Sequence, residues 1–115
     1  MVNFTGTWKN QNGSTLELRQ LAGGAIDGRF ESGVGDDGNV LWVDISGTAQ
    51  NDILTFYSSY TDFKTIVSWV GQHTTENGVG EIKTHWLHVT DIADAAEPRW
   101  MWYNNRIGSD VFVRV

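Results

Sequence analysis

The stretch that decides the fold is Thr15-Leu16-Glu17-Leu18-Arg19-Gln20-Leu21, in which apolar and polar side chains alternate almost strictly. A period of two residues is that of a β-strand with one buried and one solvated face. The alternation returns in residues 43–47 and, with one interruption, in residues 81–89. Turn signals separate such segments, as expected for a meander: Asn12-Gly13, Gly23-Gly24, Asp37-Gly38, Asn51-Asp52 and Asn77-Gly78.

The pattern predicts eight short strands, near residues 6–12, 14–21, 25–33, 40–48, 52–60, 65–75, 80–90 and 109–115. Eight sequential strands with short links favour an all-β fold, an eight-stranded antiparallel up-and-down barrel, formed by one domain over residues 1–115. Asp27-Gly28 falls inside a predicted strand and indicates a bulge or a close backbone approach. Residues 92–97 are predicted to form a helical turn before Pro98.

Tryptophan is unusually frequent, with six in 115 residues that contain no cysteine and one proline. Two interpretations stand side by side. The tryptophans either fill the core and anchor interfaces, or several of them wall a ligand cavity, which an eight-stranded barrel is just wide enough to hold. They are spread along the chain: Trp8, Trp42, Trp69, Trp86, Trp100 and Trp102.

Composition excludes several classes of function. A net charge of -6 argues against nucleic acid and against an acidic membrane surface as partners. No apolar run approaches the roughly 20 residues of a membrane span, and the absence of cysteine excludes disulfides and thiolate metal sites. A zinc site is not expected, because His85 and His88 are three apart on a strand and face opposite sides. No signal peptide is recognised at Met1, so a secreted mature form and a cytoplasmic protein both remain open.

Five motifs, in order, resemble the avidin/streptavidin family over residues 6–115. Gly6-Thr7-Trp8-Lys9-Asn10-Gln11-Asn12-Gly13-Ser14-Thr15 resembles its first hairpin, and Gly28-Arg29-Phe30-Glu31-Ser32-Gly33-Val34-Gly35 its third strand and following loop. Trp69-Val70-Gly71-Gln72 and Thr84-His85-Trp86-Leu87 resemble strands six and seven. Trp102 and the block from Ile107 to Val115 resemble the C-terminal part. The resemblance implies non-catalytic, high-affinity binding of biotin in the open end of the barrel, with no cofactor.

The resemblance also implies how the polar ureido ring of biotin is held. Asn10 and Ser14 would meet the ureido oxygen, with Asn12 beside them at the rim. The family's third donor, a tyrosine, is replaced by Phe30, which should weaken binding by about one hydrogen bond. Ser32 and Asp110 would accept the two ureido N–H groups.

Aromatic walls are implied at Trp69, Trp86 and Trp102. In the family the last of these comes from a neighbouring subunit, so a homo-oligomer, either a dimer or a tetramer, is expected. A fourth wall on strand five falls on Tyr60 if the next loop is short, or on Phe56 if it is long. Tyr60 is preferred because strand five is predicted to run to residue 60.

Further departures concern the remainder of the pocket. Val67 stands where the family has a threonine against the thioether, while Thr65 keeps a hydroxyl that could reach the tail carboxylate. His88 replaces an apolar residue two positions after Trp86 and should point inward with it. A charged imidazole there would make binding sensitive to pH. A loop that includes Val34, Gly35 and Asp36 is expected to cover the ligand as a lid.

An alternative is a lectin-like or other small-molecule-binding barrel on the same fold, since tryptophan also stacks on sugars. An enzyme that uses Asp110 or His88 as acid or base is not supported, because no paired carboxylates, nucleophile or cofactor motif accompanies them.

Overall fold

The computed structural model describes residues 2–34, 40–76, 78–100 and 105–115. Its sheet is a closed barrel in which each strand pairs antiparallel with the next and the last pairs with the first. The predicted eight-stranded antiparallel barrel is therefore confirmed. The strands are β1 (Gly6–Lys9), β2 (Thr15–Gln20), β3 (Ala25–Val34), β4 (Val40–Gln50), β5 (Ile53–Tyr60), β6 (Thr65–Thr74), β7 (Glu81–Thr90) and β8 (Asn105–Arg114).

The alternating pattern places one set of side chains inside the barrel. On β2, Leu16 and Leu18 are buried while Glu17 and Arg19 lie on the outer face. Burial of such apolar side chains is the main favourable term in folding. The core contains Phe4, Trp8, Leu16, Leu18, Ile26, Phe30, Ile45, Ala49, Leu54, Phe56, Val67, Trp69, Ile82 and Phe112.

A glycine in the middle of β3 lets two strands approach closely. Gly28 has φ +151°, and a Cβ at this position would overlap the carbonyl oxygen of Glu17 on β2. The close approach predicted at Asp27-Gly28 is therefore confirmed. A side chain here would force the two strands apart and open the barrel wall.

One end of the barrel is closed by the residues that precede β1. Phe4 and Trp8 are both 0% exposed, and the Trp8 indole Nε1–H donates to the Phe4 carbonyl at 3.0 Å. The Phe4 N–H donates to Gln20 Oε1 at 2.9 Å, and the Val2 N–H donates to Asp52 Oδ1 at 3.1 Å. These bonds hold the segment across this end of the barrel, which is thereby closed.

Three predicted segments differ in their bounds from the structure. Strand β1 ends at Lys9 rather than near residue 12, because residues 10–14 form a hydrogen-bonded turn. Strand β8 begins at Asn105 rather than near residue 109, because residues 105–108 pair with residues 86–89 of β7. The predicted helical turn is a 3-10 turn over Asp94–Ala96, which continues into a short helix, α1 (Glu97–Trp100). Pro98 is the second residue of α1, where its missing N–H would have no intrahelical partner.

The described part of the chain holds no helix of the length and hydropathy that crossing a bilayer requires.

Candidate functional site

A cavity of about 230 Å³ opens at the end of the barrel away from Phe4. We call it the inner chamber. Its walls come from the β1–β2 hairpin and from β3, β5, β6, β7 and β8, so it belongs to the barrel interior. The lining residues are Asn10, Asn12, Ser14, Phe30, Tyr60, Val67, Trp69, Trp86, His88 and Asp110.

The β1–β2 hairpin fixes the orientation of the Asn10 amide. Asn10 Oδ1 accepts the N–H groups of Asn12 at 3.0 Å and Ser14 at 2.9 Å. These two bonds assign the oxygen to the turn and leave the Nδ2 amino group free to donate. No described residue bonds to the Ser14 hydroxyl, which also lines the chamber. The hairpin therefore presents hydrogen-bond donors to a ligand.

Asp110, 7% exposed, is held from both sides. Gln11 Nε2 donates to its Oδ1 at 2.9 Å, and the Trp69 indole Nε1–H donates to its Oδ2 at 3.1 Å. Gln11 Oε1 in turn accepts the Val111 N–H at 2.9 Å, and the Thr84 hydroxyl donates to the Asp110 carbonyl at 3.0 Å. Each carboxylate oxygen keeps a lone pair, so Asp110 can still accept an N–H from a ligand.

The aromatic walls are packed from behind. Trp69 is 3% exposed, stacks on Phe56 with ring centroids 5.0 Å apart, and meets Phe30 at 5.1 Å. Trp86 is half-buried and lies directly over Gly108, where any Cβ would overlap the indole ring. The missing side chain at 108 is therefore what lets the Trp86 ring lie flat against β8.

Tyr60 and Phe56 have different surroundings on β5. Tyr60 pairs with Thr65 across a four-residue connection, the shorter of the two possible loops. Tyr60 lines the inner chamber, whereas Phe56 is 1% exposed behind Trp69 and does not line it.

The tryptophans divide between the two interpretations of the sequence. Trp69 and Trp86 line the inner chamber. Trp8 closes the other end of the barrel. Trp42 lies on the outer face of β4, where the Arg29 guanidinium stacks 3.9 Å from its ring centroid.

A second cavity of about 530 Å³ adjoins the first at the mouth of the barrel. We call it the outer chamber. It shares Tyr60, Val67 and His88 with the inner chamber. Its other lining residues are Leu41, Phe63, Thr65 and Thr90.

Two buried polar atoms near Val67 lack a hydrogen-bond partner among the described residues. They are Ser58 Oγ on β5 and His88 Nδ1 on β7. The strand register pairs Ser58 with Val67 and Val67 with His88, so the valine stands between them. The valine methyl groups can satisfy neither atom, and an unmet buried polar atom costs about 1–3 kcal/mol.

The structure thus brings most of the predicted residues into one site, with Thr65 in the outer chamber. Ser32 and Val34 belong to β3, while Gly35, Asp36 and Trp102 lie outside the described residues. Sequence reasoning missed Gln11 and Gly108. Gln11 adjoins Asn10 in a polar hairpin, and Gly108 lies two residues before Asp110 on the same strand face, which were the available signals.

The histidine and acidic side chains of the described residues are spread over the barrel. No three histidine or acidic residues of the described ranges come together as a metal site. His85 is exposed and His88 half-buried, on opposite faces of β7.

A barrel plugged at one end, with oriented polar groups and aromatic walls at the other, defines a small-molecule-binding up-and-down barrel. The chain matches the family model of the Avidin family over residues 1–115 and belongs to that family.

Solved structures share this fold. Xenavidin has a TM-score of 0.83 at 22% identity, covering 98% of each chain. Apo shwanavidin in its P21 form has a TM-score of 0.76 at 22% identity, covering 97% of this chain and 100% of that one. A shwanavidin variant in complex with biotin has a TM-score of 0.75 at 23% identity, covering 100% of both chains.

Proposed function

We propose that this protein binds biotin non-catalytically in the inner chamber. The observation that carries the proposal is that the lining of the chamber combines unused hydrogen-bond donors with an acceptor, and that Gln11 ties the donor-bearing hairpin to that acceptor. Asn10 Nδ2 and the Ser14 hydroxyl are available to donate to a carbonyl, and Asp110 is available to accept an N–H. A ureido ring needs both kinds of partner, because its carbonyl accepts hydrogen bonds and its two N–H groups donate them. The biotin complex of a shwanavidin variant supports the same choice of ligand.

The wall residues suggest that the affinity is lower than such a site could reach. Phe30 lines the chamber but has no hydroxyl to donate to the ureido oxygen. Val67 offers no hydroxyl to a thioether. Each missing hydrogen bond is worth about 0.5–1.5 kcal/mol, so two of them amount to roughly a tenfold to hundredfold loss of affinity.

We also propose that the protein is not an enzyme and needs no cofactor. Asp110 accepts hydrogen bonds from neutral donors, and no described hydrogen bond joins it to Ser14 or His88. A nucleophile–base pair would require such a contact.

The outer surface supports self-association into a homo-oligomer, a dimer or a tetramer. The outer face of β5–β8 carries apolar side chains that are 40–79% exposed: Ile53, Tyr57, Ile66, Val70, Leu87, Val89 and Ile107. Contiguous apolar patches of this kind mark protein interfaces. A second copy of the chain is the partner that every copy has available.

The outer face of β2 and β3 is different, because it is charged and internally paired. Arg29 lies 2.6 Å from Glu17, and Arg19 lies 2.6 Å from Asp27. The hydrogen bond from Arg29 holds the pKa of the Glu17 carboxyl below its usual value, and the bond from Arg19 does the same for the pKa of Asp27. These exposed pairs keep this face solvated, which favours the apolar face as the interface.

Titration calorimetry with biotin tests the binding proposal. We expect saturation near one ligand per chain and a raised thermal midpoint. Asp110→Asn should weaken binding, whereas Asp44→Asn on the outer face of β4 should not. No heat and no thermal stabilisation would overturn the proposal and direct the search to sugars and other small molecules.

Light scattering coupled to size exclusion tests the oligomer. The wild-type protein should have a mass at least twice 12.9 kDa. Ile107→Asp, which puts a charge into the apolar face, should lower that mass. Ser46→Asp on the charged side of the barrel serves as the matched control. A wild-type monomer would refute this part of the proposal.

A further inference from the structure

The hydroxyl groups of the outer chamber have their hydrogens already committed. Thr65 Oγ1 donates to the Phe63 carbonyl at 3.0 Å, and a carbonyl can only accept. Thr65 has a single hydroxyl hydrogen, so in its 2.8 Å contact with Thr90 Oγ1 the threonine at 90 must be the donor. Neither hydroxyl has a hydrogen left for a ligand. Both threonines line the outer chamber, and their hydroxyl oxygens can act toward a ligand only as acceptors.

His88 supplies the complementary donor. Its Nδ1 is buried and meets no partner among the described residues, whereas its Nε2 is not among the buried unpaired atoms. An N–H buried without an acceptor is the costlier arrangement, so the neutral ring carries its hydrogen on Nε2. His88 lines both chambers. Its Nε2–H is therefore available to donate at the junction between them.

We propose that the outer chamber binds a secondary amide, so that the preferred ligand is biotin coupled through an amide bond rather than free biotin. This inference rests on the proposed binding of biotin in the inner chamber. A secondary amide has a carbonyl to accept from His88 and an N–H to donate to the oxygens of Thr65 and Thr90. A carboxylate only accepts, so it would meet the lone pairs of the two threonines. The 530 Å³ of the outer chamber leaves room for the chain beyond the amide.

The charged groups around His88 do not reverse this preference. Arg106 pairs with His88 in the register of β7 and β8 and is the cation of the neighbouring strand. Its side chain is exposed, so water and salt screen its attraction for a carboxylate. Tyr60 lines the chamber with a neutral hydroxyl that can donate or accept, and it therefore suits both ligands equally.

The test compares three ligands by competition titration at neutral pH: biotin, its N-methylamide and its methyl ester. We expect the N-methylamide to bind about tenfold more tightly than biotin. The amide N–H gains a hydrogen bond to a threonine oxygen, where the carboxylate of biotin would meet that oxygen with a repulsion between lone pairs. The ester is neutral but has no N–H, so it should fall between the two and separate the effect of charge from that of the hydrogen bond.

Thr90→Val removes the lone pairs of one of the two acceptor hydroxyls while it keeps the branched shape, and it should lower the ratio of amide to acid affinity. Thr7→Val on the outer face of β1 should leave the ratio unchanged. Thr90→Ala replaces the valine variant if that one does not fold. Free biotin binding as tightly as the amide, or a ratio unaffected at Thr90, would overturn the inference while the biotin proposal stands. Binding of none of the three ligands would overturn both.

Discussion

The sign of the change in stability caused by Val67→Thr shows whether a hydroxyl at this position finds hydrogen-bond partners or is buried without any. Val67 is 7% exposed and lies between Ser58 Oγ and His88 Nδ1, the two buried atoms without a partner among the described residues. A hydroxyl at 67 can accept from the serine and donate to the imidazole nitrogen. The reach is feasible, because Thr65 and Thr90 are directly paired on the same two strands and their hydroxyls lie 2.8 Å apart.

The magnitude follows from the two unsatisfied atoms. Burying a hydroxyl that finds no partner costs about 1–3 kcal/mol, which is the ordinary result of Val→Thr in an apolar core. A hydroxyl that satisfies both Ser58 and His88 instead recovers about 1–3 kcal/mol for each of them. After the cost of burying the new group, we expect a net stabilisation of about 1–2 kcal/mol. For a chain of this size this raises the thermal midpoint by roughly 4–8 °C.

The assay is thermal unfolding at a fixed protein concentration, which holds any contribution of the oligomer constant. Ser58→Ala is the matched background, because it deletes one of the two unpaired atoms and should cost little by itself. In that background Val67→Thr should lose most of its benefit, because one of the two recovered hydrogen bonds is gone while the cost of burying the new hydroxyl remains. A fall in the midpoint of the single variant, or a gain that is the same in both backgrounds, would refute the reasoning.

Three other substitutions probe residues that support the site. Gly108→Ala should weaken biotin binding more than tenfold and change the tryptophan fluorescence, because the new methyl group displaces the Trp86 ring; unchanged titration heats would contradict this. Gln11→Leu should weaken binding about tenfold with little effect on the thermal midpoint, because the Asp110 carboxylate loses a donor; equal affinities would show that this bond is dispensable. Phe4→Ala should lower the free energy of unfolding by about 3–5 kcal/mol, measured in urea, and leave the affinity for biotin intact, because Phe4 fills the closed end; a proportional loss of affinity would contradict the separation of the two ends.

The strands that sequence predicts well are those whose pattern is complete within a few residues. Strand β2 has the full alternation and turn signals on both sides, and its bounds fall within a residue of the prediction. The first half of β8 has neither, since Asn105, Arg106 and Gly108 give no apolar alternation. These residues are strand because β7 pairs with them, and such pairing depends on contacts that no local window contains.

The candidate site divides in the same way. Asp110 and Trp69 are predicted from the sequence because they fall within motifs that resemble the avidin/streptavidin family. Gln11 does not, because its role rests on a hydrogen bond across 99 positions of the chain. The polarity of the Thr65 hydroxyl was beyond any sequence reading, since the Phe63 carbonyl decides where its hydrogen points. Sequence thus predicts which groups could meet a ligand, and structure decides which of their atoms are still free.

Under the proposed function, the atoms that remain free predict that the wall residues Phe30 and Val67 lower the affinity without abolishing binding. The turn of the β1–β2 hairpin sets the Asn10 amide, and Gln11 and Trp69 set the Asp110 carboxylate, all through bonds within the protein. These groups therefore lose little conformational freedom when a ligand arrives, which is the main way a small site gains affinity. Phe30 supports no such bond, so its missing hydroxyl removes one contact and leaves the others aligned. Loss of Gln11 would instead leave the Asp110 carboxylate held by Trp69 alone, so its alignment would be weakened.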